Sequence, residues 1–118
     1  MVYVTAGARS RDAMSEDGTV ATGKAPTQVV DLKSGVIALR ANTAVIPGCK
    51  DRIISIGTSG GGQMSSILGA SGNMPEYYEY LYEAGALGVK KNADGSCSSA
   101  FPDNVYGAQL YCPIADIE

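Results

Sequence analysis

The sequence predicts an α/β fold in which parallel sheet strands are flanked by helices. Three observations predict it: short apolar segments rich in β-branched residues recur along the chain, helical patterns separate them, and the composition is that of a globular protein. The chain has 118 residues, of which 45% are hydrophobic and 18% charged. Strands that alternate with helices pair in parallel through right-handed crossovers. We therefore expect residues 1–118 to form a single domain of this class.

The first strand is predicted at residues 2–5, which are β-branched or aromatic and run into a small-residue turn. Residues 10–23 are rich in Ser, Asp, Gly and Thr and have no apolar periodicity. That composition predicts a loop on the surface or at the rim of a site.

An amphipathic helix is predicted over residues 26–42. Pro26 suits the first turn of a helix, and apolar residues follow at spacings of three or four. These residues are Val29, Leu32, Val36 and Leu39. After the turn at residues 47–48, the almost continuously apolar residues 52–56 predict a second strand, buried on both faces of the sheet.

The second half of the chain continues the alternation. Apolar residues at helical spacing from Met64 to Leu68 predict a further helix, and another is expected to begin at Pro75. Residues 88–99 are polar and predict an exposed loop, whereas residues 105–112 predict a third buried strand.

Four tyrosines lie close together between positions 77 and 82. Tyrosines in such a cluster usually cover a core with their rings while their hydroxyl groups meet water. The other interpretation is an aromatic wall for a phenolic substrate. Both interpretations stay open at the level of sequence.

Composition argues against several classes of partner. The formal charge is −3 and the basic residues are scattered, so no basic stripe for nucleic acid is predicted. The apolar stretches are too short to cross a membrane. The three cysteines form no C-x-x-C pair and the chain contains no histidine, so we predict neither a metal ion nor another cofactor.

The chemistry is concentrated in the motif Gly57-x-Ser59-x-Gly61, which directly follows a predicted strand and precedes a predicted helix. This context predicts a nucleophile elbow, a sharp turn that exposes a serine hydroxyl at the carboxyl end of a sheet. Glycines two positions either side of the serine allow the strand and the helix to approach closely. The N–H of Gly60 then faces the oxyanion that forms when the serine attacks a carbonyl group.

Two other interpretations of the glycines are a phosphate-binding turn and simple packing. The run does not match G-x-G-x-x-G and lacks the Lys-Ser/Thr pair of a P-loop, which argues against nucleotide binding. A serine nucleophile also needs a base within hydrogen-bond reach, and with no histidine in the chain none can be assigned.

The residues around this motif resemble the bacterial α/β-hydrolases related to tannases and feruloyl esterases. The similarity runs through almost the whole chain, in segments 2–4, 7–12, 23–26, 30–33, 39–42, 47–48, 51–53, 57–73 and 111–116. The resemblance implies that Ser59 is the nucleophile and that the Gly60 N–H is one oxyanion donor, with Gly57 and Gly61 as the elbow glycines. The family usually has alanine after the serine, but because it uses the backbone N–H of that residue, we expect Gly60 to keep the role.

The same resemblance implies a partial, incomplete α/β-hydrolase fold. Residues 2–4, 53–56 and 105–112 correspond to its fourth, fifth and sixth strands. The second oxyanion donor is then expected before Met1, and the catalytic aspartate and histidine after Glu118. We accordingly expect the isolated chain to pair with the remaining parts, to oligomerise through open sheet edges, or to be marginally folded.

Further candidates for the site lie at predicted strand ends. Asp116 comes too early to be the catalytic acid, but Asp116 and Ile114 are candidates for a substrate-pocket wall. Arg9, Arg11 and Asp12 follow the first predicted strand and are either residues of the site rim or members of salt bridges that anchor a loop.

The resemblance implies that this chain is the nucleophile-bearing segment of a serine carboxylic-ester hydrolase that acts on phenolic acid esters through an acyl-enzyme. The implied partners are a small-molecule ester and the remainder of the same hydrolase domain, joined to this chain or supplied as separate chains. Alone, the chain is expected to be inactive. The alternative is a non-catalytic α/β scaffold or degenerate hydrolase with a binding role.

Overall fold

The computed structural model describes residues 2–9, 12–20 and 22–113. Three helices, α1 to α3, and four strands, β1 to β4, account for the regular structure of these residues. In chain order they are α1 (Thr27–Ala41), β1 (Ile54–Thr58), α2 (Gly60–Ala70), a 3₁₀ turn (Pro75–Tyr77), α3 (Tyr78–Glu83), β2 (Val89–Lys91), β3 (Cys97–Ser99) and β4 (Gly107–Tyr111). The parallel sheet and its flanking helices make this a partial α/β fold.

The parallel sheet consists of β1 and β4, paired from Ile54 opposite Gly107 to Thr58 opposite Tyr111. Helix α2 covers one face of this sheet. On that face the hydroxyl groups of Ser55 and Ser65 form a hydrogen bond. The predicted parallel pairing is therefore confirmed, although β1 begins two residues later than expected.

Helix α1 matches its prediction within one residue at each end. The core cluster combines Val30 and Ile37 of α1 with Leu81 of α3. Partly buried side chains pack around it: Tyr77, Tyr78, Ala86, Val89 and Phe101. Two of the clustered tyrosines thus cover the core, whereas Tyr80 and Tyr82 are exposed.

A buried ion pair that the sequence pattern does not predict lies between α1 and the segment before β4. The Lys33 ammonium is 3.2 Å from the Asp103 carboxylate and donates a 2.6 Å hydrogen bond to the Ser71 carbonyl. Both side chains are almost fully buried. Asp103 Oδ1 also accepts the Asn73 N–H, whereas Oδ2 has no hydrogen-bond partner among the described residues. Desolvation lowers the pKa of Lys33, and the charge of Asp103 partly opposes that effect.

The prediction of a buried strand at residues 2–5 is wrong. These residues are exposed and irregular, and Tyr3 is 82% exposed. No described strand pairs with them, so their backbone lacks the hydrogen-bonded ladder that an apolar strand needs for burial.

The predicted loop at residues 88–99 is instead an antiparallel hairpin of β2 and β3. Its strands are three residues long and polar, so the hydrophobic pattern does not reveal them. Gly95 has a φ of 91°, which allows the tight turn between them.

The expectation of a buried third strand is also wrong, because β4 is mostly exposed. It packs against α2 and pairs with β1. The predicted burial of β1 on both faces is wrong as well, because Ile54 and Ile56 are exposed. Across those residues no helix is long and apolar enough to cross a bilayer. No cluster of potential metal ligands occurs in them either.

Candidate active site

Ser59 is the single residue that separates β1 from α2. Its backbone angles are φ 56° and ψ −117°, a conformation that residues other than glycine rarely adopt. Its side chain is exposed and forms no capping hydrogen bond to α2. Backbone strain of this kind persists only where the surroundings hold it, and it concentrates at functional sites.

Two backbone hydrogen bonds hold Ser59 in this conformation. Its N–H donates to the Tyr111 carbonyl at the end of β4, at 2.9 Å. Its own carbonyl accepts the Gln63 N–H in the first turn of α2, at 3.0 Å. The serine is therefore fixed between the neighbouring strand and the helix that follows it.

Close approach of β1 and α2 explains one of the two elbow glycines sterically. A Cβ at Gly57 would overlap the Gly61 carbonyl group, which belongs to the backbone and cannot move aside cheaply. A Cβ at Gly61 would meet no atom within 4 Å, contrary to the expected lack of space there. The tight position is the next one, because a Cβ at Gly62 would lie 3.0 Å from the Tyr111 carbonyl oxygen and 3.1 Å from the Pro113 Cα.

Gly60 is the first residue of α2. The N–H groups of a first helical turn have no acceptor within the helix, and the helix dipole adds positive potential there. This end of α2 lies beside the Ser59 side chain, so the arrangement offers a nucleophilic oxygen next to donors suited to a developing negative charge.

Solved tannases match the chain in both structure and sequence. The tannase of Fusobacterium nucleatum superimposes with a TM-score of 0.79 and 41% identity, over 95% of this chain and 21% of that one. A tannin acyl hydrolase solved with ethyl gallate gives 0.78 and 32%, over 95% of this chain and 22% of that one. The tannase from Lactobacillus plantarum gives 0.76 and 32%, over 92% and 20% of the two chains.

The chain is a tannase-like α/β segment. It spans between 20% and 22% of the length of these solved relatives. No protein-family model matches the chain. A search of curated proteins finds no match either.

Some predicted rim residues of the tannase-like segment have other roles. Arg9 forms a two-pronged salt bridge with Asp31 of α1, with a closest approach of 2.7 Å, and its backbone N–H donates to the same carboxylate. Arg9 thereby anchors its loop, and the hydrogen bonds lower the pKa of Asp31. Arg11, Ile114 and Asp116 lie outside the described residues, so the proposed pocket wall stays a prediction.

The sequence pattern does not predict two contributors to the geometry around Ser59. They are the Tyr111 carbonyl, which accepts the Ser59 N–H, and Gly62, which lets the end of β4 lie against α2. The third consecutive glycine was a usable signal for Gly62. No sequence signal identifies the Tyr111 carbonyl, because its contact with Ser59 depends on the register of β1 against β4.

Proposed function

We propose that this chain carries the nucleophile, Ser59, of a serine carboxylic-ester hydrolase. The observation that carries the proposal is the strained backbone of Ser59 (φ 56°, ψ −117°) at the junction of a parallel strand and a helix. A serine in this position presents its hydroxyl at the carboxyl edge of the sheet, where ligands of α/β proteins gather.

In the proposed reaction, Ser59 Oγ attacks the ester carbonyl carbon while a base takes its proton. The Gly60 N–H donates to the resulting oxyanion, and the first turn of α2 stabilises the negative charge. Collapse of this intermediate expels the alcohol and leaves an acyl-enzyme, which water then hydrolyses.

The base and its carboxylate partner belong, in this proposal, to the remainder of the same hydrolase domain, as does the second oxyanion donor. None of the 118 residues is histidine. In a well-studied serine protease, loss of the nucleophile or of the base lowers turnover by a factor on the order of 10⁶. We therefore expect the isolated chain to be inactive until those parts are supplied.

Phenolic acid esters are the proposed substrates. The support is similarity to tannases, since the solved relatives include tannin acyl hydrolase in complex with ethyl gallate and in complex with 3,4-dihydroxybenzoate. The 41% identity to the Fusobacterium nucleatum tannase holds over 95% of this chain.

The proposal is tested by covalent labelling of a chimera in which this chain replaces the matching segment of the Fusobacterium nucleatum tannase. A fluorophosphonate probe reacts with an activated serine and not with a packing serine. We expect the chimera to be labelled, Ser59→Ala to remove the label, and Ser98→Ala, at an exposed serine of β3, to keep it. Equal labelling of the Ser59→Ala variant would contradict the proposal.

The alternative is a non-catalytic scaffold, and the observation that favours it is the lack of histidine in the chain. It predicts a folded chimera that the probe does not label. Circular dichroism of the same samples separates this outcome from failure to fold.

A further inference from the structure

A cavity of about 810 Å³ lies between the first turns of α1, helix α2 and the 3₁₀ turn. Its lining includes Val29 from α1, Met64 and Ile67 from α2, and Tyr77 from the 3₁₀ turn. Pockets for small molecules fall in this range of volume and have mainly apolar walls with a few polar groups. The cavity is therefore large enough for an aromatic ring and its substituents.

Two charged residues, Asp12 and Lys24, and two amide residues, Gln28 and Gln63, also line the cavity. An amide group both donates and accepts hydrogen bonds, which suits the hydroxyl groups of a phenol. Gln63 also connects the cavity to the candidate active site, because its backbone N–H donates to the Ser59 carbonyl at 3.0 Å. The cavity thus begins one helical turn from the serine.

Tyr77 contributes a specific electronic feature. The Lys33 ammonium lies 4.7 Å from the centre of its ring and is itself held by Asp103. A cation over an aromatic ring is attracted by the negative potential of the π-system, and it polarises the electrons of the ring toward itself. The ring then stacks more favourably with an electron-rich ring, and hydroxyl groups make a phenolic ring electron-rich.

We infer that this cavity binds a phenolic ring, beside and separate from the reacting ester group at Ser59. The inference rests on the proposed function in one respect, that the ring belongs to a phenolic ester. A site of this kind gives the enzyme a second point of contact with esters that carry more than one phenolic ring.

The test is an NMR titration of the chain with methyl 3,4-dihydroxybenzoate, and methyl cyclohexanecarboxylate serves as the non-aromatic control. We expect saturable binding of the phenolic ester, with nuclear Overhauser contacts between its ring protons and the Met64 methyl group. Binding of the cyclohexane ester should be at least tenfold weaker. Lack of saturable binding, lack of these contacts, or equal binding of both esters would overturn the inference.

Variants locate the site. Met64→Trp should fill the cavity and weaken binding at least tenfold, whereas Ala70→Trp, at an exposed position of the same helix, should leave it unchanged. Tyr77→Leu gives an independent check, since it removes the ring and should weaken binding as well. Equal affinities of the Met64→Trp, Tyr77→Leu and unmodified chains would overturn the inference.

The experiments can reject the ring site without rejecting the proposed function, and the reverse. Ser59→Ala should bind the phenolic ester as tightly as the unmodified chain. If the probe does not label the chimera but ring binding persists, the nucleophile proposal fails and the ring site stands. If labelling succeeds and the contacts to Met64 are missing, the ring site alone fails.

Discussion

At the scale of single residues, the structure shows how a strained serine is held. Ser59 and Cys112 both have positive φ values, 56° and 45°, and they follow the ends of the paired strands β1 and β4. The backbone thus turns sharply after both strands, at the same edge of the sheet. The hydrogen bond from the Ser59 N–H to the Tyr111 carbonyl joins the two turns. The motif predicted the position of the serine, but only the strand register shows what supports it.

Substitution of the two elbow glycines should have unequal effects on stability. Gly57→Ala places a methyl group against the Gly61 carbonyl and should lower the free energy of unfolding by about 1–3 kcal/mol. Gly61→Ala has open space in a helix and should raise it by up to about 1 kcal/mol. Urea denaturation of the two variants measures the difference. Equal destabilisation would show that the approach of β1 to α2 is not as described.

At the scale of elements, the sequence predicts features set by the local pattern better than features that depend on contacts between distant residues. The bounds of α1 follow from its own apolar spacing, so the sequence predicts them within one residue. Pairing with β4 sets the bounds of β1, which is why that prediction is shifted by two residues. Burial of Lys33 could not be predicted, because its partner Asp103 lies 70 residues away in the chain.

The ion pair of Lys33 and Asp103 should show strong coupling in a double-mutant cycle. Removal of one partner leaves a buried charge without its counter-charge and should cost about 3–5 kcal/mol of stability. The double variant Lys33→Met, Asp103→Leu removes both charges, so it should lose less than the sum of the single changes. Chemical denaturation of the four proteins measures the cycle. Additive losses would contradict the buried pair.

The pH dependence of stability should carry the signature of Lys33. Because its pKa is lowered from 10.5 in the folded state, the unfolded chain binds more protons just below that pH. The free energy of unfolding of the unmodified chain should therefore rise relative to that of Lys33→Met as the pH increases toward 10.5. Thermal or urea denaturation over this pH range measures the free energy of unfolding of both proteins. The difference between them removes the contribution of ionisable groups that they share. A flat difference, or one of opposite sign, would refute the assignment.

At the scale of the whole molecule, one face of the parallel sheet is uncovered among the described residues. Ser55 faces α2, so strand alternation places Ile54 and Ile56 on the opposite face, and each is 57% exposed. Parallel sheets are ordinarily covered on both faces. Residues 2–5 are exposed for a related reason, since an apolar segment is buried only where another element packs against it.

The uncovered sheet face should make the isolated chain associate. Ile54→Thr combined with Ile56→Thr should reduce association, because the change keeps β-branched residues while removing apolar surface. Val45→Thr is the matched control, since Val45 is 78% exposed and lies in a turn outside the sheet. Size-exclusion chromatography across a concentration series measures the effect. A monomer at all concentrations, or an equal effect of Val45→Thr, would contradict the prediction.

The rate of ethyl gallate hydrolysis by the chimera with the Fusobacterium nucleatum tannase tests whether Ser59 is the nucleophile of a phenolic ester hydrolase. We expect turnover by the chimera and by its Ser98→Ala variant, and a turnover lower by a factor on the order of 10⁶ in Ser59→Ala. Hydrolysis by Ser59→Ala at the rate of the unmodified chimera would show that Ser59 is not the nucleophile.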